Sequence, residues 1–173
     1  ESQLASQLKM VAKTIAASAD IGLPQQTYFL RYIGWDHHSE LLNQHKSMLT
    51  VLDDALDAFQ RSLKELSIED KVVTFTGSDF GRSLTSNGNG TDHGWGGNAI
   101  VMGQPVDGGK IFGKYPEITL DTENALDIGG GVLIPTTSTD ELYAALALWF
   151  GVAKSDLTRL FPNLQNFHNK NNP

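Results

Sequence analysis

Residues 27–45, TYFLRYIGWDHHSELLNQH, change from a β pattern to an α pattern within one stretch of the chain. The aromatic and β-branched residues at 27–33 are typical of a strand. The segment 34–39 is polar and contains an aspartate and two histidines, which is typical of a loop. From Leu41 to Leu66 the apolar residues recur every three or four positions, which predicts a long helix. A strand, a polar loop and a helix in this order predict the start of a βαβ unit.

The rest of the chain extends this pattern. Further helices are predicted at 3–18, 139–150 and 155–160, and further strands at 71–76 and 98–102. Ser138 and Glu141 have the spacing of a capping box at the start of a helix. Residues 86–97 are so rich in glycine that we expect no regular element there. Strands that alternate with helices predict an α/β fold, with a mainly parallel sheet and helices on its faces.

The composition narrows the classes of function. The chain has 173 residues and a net charge of -7, and it has no basic run that could neutralise a nucleic-acid backbone. No apolar run approaches the ~20 residues that a membrane-spanning helix needs. Because cysteine is absent, thiol catalysis and cysteine-based metal sites are excluded. We therefore expect one packed domain, no nucleic-acid partner and no membrane span, and any metal must be held by histidine and carboxylate groups.

Asp36 and His38 follow the first predicted strand, at the sheet edge where ligands of open α/β proteins bind. In an irregular segment, residues two apart can point the same way, so one ion could be bound by both while His37 faces elsewhere. The alternative is that Asp36 or Ser39 caps the long helix and that the histidines are merely exposed.

Three further residues lie near the later strand ends. Asp79 follows the second predicted strand among glycines, where a ligand can approach the backbone closely. The guanidinium of Arg82 is suited to binding phosphate or sulfate oxygens, although an Asp79–Arg82 surface ion pair is the alternative. His93 in the glycine-rich loop could supply a last metal ligand, with Asp92 orienting an imidazole, or could simply face solvent.

Several segments together resemble the carboxyl-terminal part of the domain of unknown function 1501 family. They are WDHHSE at 35–40, the stretch from VVTFTGSDF to DHGWGG at 72–97, LIPTTSTDELYAALALWFGV at 133–152 and FPNLQNF at 161–167. That family is similar to the alkaline phosphatase and sulfatase superfamily. The resemblance implies that residues 1–167 form part of an alkaline phosphatase-like sandwich and that 168–173 are a polar tail.

The resemblance also implies roles for individual residues. Asp36 and His38 stand where the superfamily has an aspartate and a histidine on one ion, and His93 stands where a distant histidine completes that site. Asp79 stands where the superfamily has an aspartate that binds a second ion. The next residue is Phe80, where many members have another histidine ligand. The implied cofactor is a divalent metal, zinc or manganese, and the implied substrate is a small anionic ester with Arg82 as an oxyanion contact.

The remaining implications concern the whole protein. Family members are longer, are commonly exported and supply the nucleophile from the amino-terminal half, so we expect this chain to be a carboxyl-terminal fragment of a hydrolase that is periplasmic or otherwise exported. The competing expectation is a non-catalytic binding or scaffold protein that keeps the fold. A sheet separated from its partner strands has an open edge, which predicts self-association of this chain.

Overall fold

The computed structural model describes residues 2–120 and 124–167. Its helices are α1 (Gln3–Ala16), α2 (Ser18–Ile21), α3 (Leu41–Glu65), α4 (Thr139–Trp149) and α5 (Leu157–Leu160). Its strands are β1 (Thr74–Phe75), β2 (Gly81–Ser86), β3 (Thr91–Gly94) and β4 (Val101–Met102). Short 3-10 turns occupy Glu69–Lys71, Lys154–Asp156 and Pro162–Asn166. None of the described helices is both long enough and apolar enough to cross a membrane. The predicted polar tail at 168–173 lies outside the described residues.

The main core lies between α1 and α3. The buried side chains of this core are Leu4, Leu8, Val11 and Ala12 from α1, and Ala55, Phe59 and Leu63 from α3. Apart from Ala12, which directly follows Val11, they recur every three or four residues, so each helix buries a single stripe against the other. The helix at 3–18 was predicted from this spacing and is confirmed, ending at Ala16. The Ser2 hydroxyl accepts a hydrogen bond from the Ala5 N–H and caps the first turn.

A second, smaller cluster forms at the carboxyl-terminal end. Ala144, Leu157 and Leu164 are buried there. Ser138 caps α4: its Oγ accepts from the N–H of Glu141, whose carboxylate accepts from the Ser138 N–H at 2.8 Å. The predicted capping box is therefore confirmed.

The paired strands of the described residues are antiparallel. β1 pairs with β4, with Thr74 opposite Met102, and β2 pairs with β3, with Arg82 opposite His93. A mainly parallel sheet is not found in residues 2–120 and 124–167, and the predicted α/β sandwich over residues 1–167 stays a prediction. The segments 71–76 and 98–102, which contain β1 and β4, were correctly interpreted as β, whereas β2 and β3 lie in segments that were not predicted to be strands. Which strands become neighbours depends on contacts that are distant in sequence.

The segment 27–33 also differs from its prediction. It is extended, and inward-facing Tyr28, Leu30 and Tyr32 pack against the main core while the residues between them face outward. No backbone hydrogen bond of the described chain pairs it with a neighbouring strand. Residues 27–33 therefore have the side-chain alternation of a strand without a sheet.

The glycine-rich segment 86–97 was predicted to be irregular, and this prediction is wrong for β3. Asn87 organises a turn between β2 and β3, because its side-chain oxygen accepts from the Gly90 N–H at 2.8 Å. The Asn87 N–H also donates to the Gly90 carbonyl at 3.0 Å. The turn reverses the chain within four residues, which allows a hairpin to form in a sequence that is poor in β-forming residues.

Candidate metal centre

The loop between the extended segment and α3 places its side chains alternately inside and outside. His37 is buried, with only 5% of its surface exposed, and its ring lies against Trp35 and His45. Asp36 and His38 both face solvent, and His38 Nε2 lies 3.0 Å from Asp36 Oδ1. Neither Asp36 nor Ser39 caps α3. The residue at the start of this helix is Glu40, which has a left-handed backbone conformation and makes no side-chain capping bond. The capping alternative for Asp36 is therefore wrong.

The hairpin brings His93 to the same place. Because Arg82 and His93 are cross-strand partners, their side chains leave the same face of the hairpin. His93 Nε2 lies 2.9 Å from Asp36 Oδ1, and the rings of His38 and His93 have centroids 5.1 Å apart. One candidate ligand atom from each of Asp36, His38 and His93 lies within 4.8 Å of the other two.

The chemistry of this donor set fits a divalent ion. Two imidazoles and one carboxylate are the ligands of many zinc and other transition-metal sites, in which further positions remain for water or substrate. All three side chains are about half exposed, so solvent and a small ligand can reach them. The three residues would hold the ion through His38 Nε2, His93 Nε2 and the Asp36 carboxylate.

A second set of residues orients these side chains. His38 Nδ1 lies 3.3 Å from Asp92 Oδ1, and the Asn87 amide donates to the His38 carbonyl at 3.0 Å. If the proton of His38 resides on Nδ1, facing Asp92, the lone pair of Nε2 is free to bind a metal. The ring of Phe80 stacks on His93 at 3.8 Å between centroids and 9° between planes, which fixes the plane of that imidazole.

Arg82 connects the loop to the hairpin. One terminal nitrogen, Nη2, donates to Asp36 Oδ1 at 2.6 Å and to the Trp35 carbonyl at 3.1 Å, and Nη1 donates to the Thr91 carbonyl at 2.8 Å. Its side chain is 20% exposed. In this arrangement Arg82 positions Asp36, and the alternative of an Asp79–Arg82 ion pair does not occur. The predicted oxyanion role of Arg82 stays a prediction.

The electrostatics of the cluster favour an ionised carboxylate. Desolvation raises the pKa of Asp36, but hydrogen bonds from His93 and Arg82 and the electrostatic influence of His38 and His93 outweigh this effect, so the net pKa is below its usual value. Asp36 therefore carries its negative charge over the whole physiological pH range. Burial lowers the pKa of His37, with smaller contributions from His45 and Arg82, and this favours the neutral form of the ring.

Asp79 does not join this cluster. It is exposed in the turn before β2 and is not part of the group formed by Asp36, His38 and His93. The neighbour Phe80 contacts the cluster in its place, through the ring of His93. Sequence analysis missed the role of Asn87, although its position before glycine in NGNG is a recognisable turn signal.

Comparisons with known proteins place the chain in a family without assigning it an activity. No curated protein and no solved structure matches the chain. The sequence does match the family described as "Protein of unknown function (DUF1501)" over residues 7–159, a range that contains the whole candidate metal centre. This chain therefore belongs to the DUF1501 family.

Proposed function

We propose that Asp36, His38 and His93 form the divalent-metal site of a hydrolase that acts on phosphate or sulfate esters. The observation that carries this proposal is the convergence of two imidazoles and a carboxylate, from segments separated by more than fifty residues in the chain, at one exposed point. The proposal is further supported by Asp92, whose Oδ1 lies 3.3 Å from His38 Nδ1, since metal-binding histidines usually donate their other ring N–H to a carboxylate or a carbonyl.

A bound zinc or manganese ion would supply Lewis-acid stabilisation of the charge on the transferring group. The chain's own residues have distinct tasks in this proposal. Asp36 provides the negative charge that holds the cation, and Arg82 fixes the position of Asp36. The proposed contact between Arg82 and an ester oxygen requires that its guanidinium exchange some of its present partners.

The nucleophile and a second-metal aspartate are not assigned to any residue described above. We propose that they belong to another part of a longer, exported protein, of which this chain is the carboxyl-terminal portion. Asp79 is the residue of this chain that would reach a second ion there.

The metal site is tested by titrating the chain with zinc or manganese in a calorimeter. Asp36→Ala and His93→Ala are each expected to weaken binding by at least about tenfold, since each removes a ligand. Asp54→Ala is the matched control, because Asp54 is an exposed carboxylate on α3 outside the cluster, and this variant is expected to bind as the parent does. Equal binding by all four proteins would overturn the assignment of the ligands.

The hydrolase activity is tested with the longer protein. We expect it to hydrolyse an aryl phosphate or aryl sulfate with added zinc or manganese, and to lose turnover with Asp36→Ala. Silence with both esters and both metals, in a protein that still binds the metal, would contradict the hydrolase while leaving the metal site intact.

A second candidate, a non-catalytic scaffold, is favoured by one specific observation. Arg82 and His93 already lie on Asp36 Oδ1 at 2.6 and 2.9 Å, so the carboxylate has cationic or donor partners without an ion. A scaffold would show no metal-dependent turnover and no loss of affinity for metal in Asp36→Ala.

A further inference from the structure

Phe80 is an aromatic residue without a metal-binding atom that lies directly on the candidate metal centre. Its ring is parallel to that of His93, with 3.8 Å between the centroids and 9° between the planes. The Arg82 guanidinium also lies over the ring of Phe80, with its carbon Cζ 5.4 Å from the centroid. Phe80 therefore contacts both His93 and Arg82, the residue that positions Asp36.

The sequence places Phe80 at this point through the register of the hairpin. Arg82 lies opposite His93, and Phe80 precedes Arg82 by two positions, which makes it a diagonal neighbour of the histidine on the same face. Aromatic side chains are large enough to make such diagonal contacts. Gly81 allows the close approach of the two strands, because a Cβ at this position would overlap the carbonyl oxygen of Gly96.

The geometry of the stack leaves the metal-binding edge of His93 open. The lone pair of an imidazole nitrogen lies in the plane of the ring, whereas Phe80 covers one face of that ring. His93 Nε2 lies in this plane, at 2.9 Å from Oδ1 of Asp36. The stack therefore restricts rotation of the imidazole without competing for the ion.

The separation of the two rings favours positive charge on His93. Two neutral aromatic rings prefer centroids about 4.5–7 Å apart, in offset or edge-to-face arrangements. Because the face of a phenyl ring is negative, a closer parallel arrangement is favourable when the second ring is poor in electrons. An imidazole becomes poor in electrons when it binds a divalent cation. The stack of Phe80 on His93 is therefore suited to the metal-bound form of the site.

We propose that Phe80 is a positioning residue of the metal centre, which holds the His93 imidazole in the plane that the ion requires and stabilises its metal-bound form through the face of the phenyl ring. This inference rests on the proposed metal site of Asp36, His38 and His93. It adds a determinant of metal affinity that supplies no ligand atom. A side chain that restricts a ligand before binding reduces the entropy that binding would otherwise lose.

The proposal is tested by titrating variants of the chain with zinc in a calorimeter. Phe80→Leu keeps an apolar side chain without a ring, and its affinity should fall about two- to tenfold, the factor that corresponds to one aromatic pair. Phe80→Tyr keeps the ring and should bind zinc as the parent does. Phe75→Leu is the matched control, because it loses an aromatic contact with Tyr143 outside the cluster and should also bind zinc as the parent does.

Cobalt(II) replaces zinc in a second measurement, because its visible absorption bands depend on its coordination geometry. The bands of the Phe80→Leu protein are expected to differ from those of the parent, whereas those of Phe80→Tyr and Phe75→Leu should match them. A general loss of stability would not alter the bands of the saturated complex. Urea denaturation without metal compares the stabilities of the four proteins.

Replacement of Phe80 by pentafluorophenylalanine nearly keeps the shape of the side chain and reverses the polarity of the ring face, so it tests the stack even if Phe80→Leu fails to fold. We expect this protein to bind zinc more weakly than the parent. If the parent binds zinc and both replacements bind it equally well, with unchanged cobalt bands, the role of Phe80 alone is overturned. A parent that binds neither zinc nor cobalt overturns the metal site together with this inference.

Discussion

His37 differs from its two neighbours because it is turned into the protein. Asp36 and His38 face solvent, while the His37 ring packs against Trp35 and His45. Its Nε2 is buried and has no hydrogen-bond partner among the described residues. Adding a proton to this ring would create a buried charge without a partner, which is the reason that its pKa is lowered.

This burial predicts a pH dependence of stability. Below about pH 6.5, the usual pKa of histidine, the unfolded chain binds a proton at residue 37 that the folded chain excludes. The free energy of unfolding should therefore be highest above that pH and decrease as the pH falls toward the lowered pKa of the folded state. Urea denaturation in the presence of a chelator at pH 7.5 and at pH 5.5 measures the difference.

The variant His37→Phe keeps an aromatic ring and removes the titration. Its stability is expected to change less than that of the parent between the two pH values. An unchanged pH dependence in this variant would show that another group is responsible.

The β2–β3 hairpin is the element that assembles the site. It carries His93 and Arg82 in register, and its turn lies against the loop that carries Asp36 and His38. The close approach depends on Gly90, since a Cβ there would lie 2.5 Å from both the His37 carbonyl oxygen and the His38 carbonyl carbon. The backbone on both sides would have to move to accommodate any larger residue.

Gly90→Ala is therefore expected to destabilise the protein by about 1–3 kcal/mol, the usual cost of overpacking, and to weaken metal binding. Gly97→Ala is the matched control from the same glycine-rich segment, because its Cβ would have only an ordinary contact of 3.6 Å with Gly81. Urea denaturation and calorimetry measure both variants. A Gly90→Ala protein as stable as Gly97→Ala, with unchanged affinity for metal, would contradict this account of the hairpin.

The elements also show how far sequence reasoning reaches. The stripe of Leu4, Leu8 and Val11 predicts α1 because a helix is specified by spacings of three and four residues. Strand pairing has no such local signature. Residues 98–102 were correctly assigned β character near Val101, but their antiparallel pairing with Thr74 and Phe75 was not predictable from either segment alone.

The candidate site was predictable to a similar extent. Asp36 and His38 are two positions apart in a polar loop, and this spacing predicts that their side chains lie on the same side of that loop. The contact of His93 with Asp36 depends on the hairpin register, and the bond of Arg82 to Asp36 depends on the same register. Asp79 is a carboxylate that follows a strand, as a metal ligand could, but it lies outside the cluster of Asp36, His38 and His93. Residue type and position in the sequence therefore did not determine where its side chain lies.

At the scale of the whole molecule, the proposed metal site links two distant parts of the chain. Its ligands lie in the loop before α3 and in the β2–β3 hairpin, which are adjacent only after folding. An ion that binds all three ligands therefore binds the folded state in preference to the unfolded state. By linkage, a free-metal concentration of about 100 times the Kd adds about 2.7 kcal/mol to the stability.

We accordingly expect zinc or manganese to raise the Tm of the parent chain by several degrees, as is usual for a stabilisation of this size. The Asp54→Ala control should show the same increase, and His93→Ala should show little. Differential scanning calorimetry with and without metal makes the comparison. A His93→Ala protein that is stabilised as much as the parent would place the metal elsewhere.

The central claim is that Asp36, His38 and His93 hold one metal ion. Anomalous X-ray diffraction from crystals grown with zinc or manganese tests it most directly. We predict one anomalous peak within about 2.0–2.2 Å of two imidazole nitrogens and a carboxylate oxygen from these residues. Fully occupied metal at another position, with these three side chains unliganded, would contradict the claim.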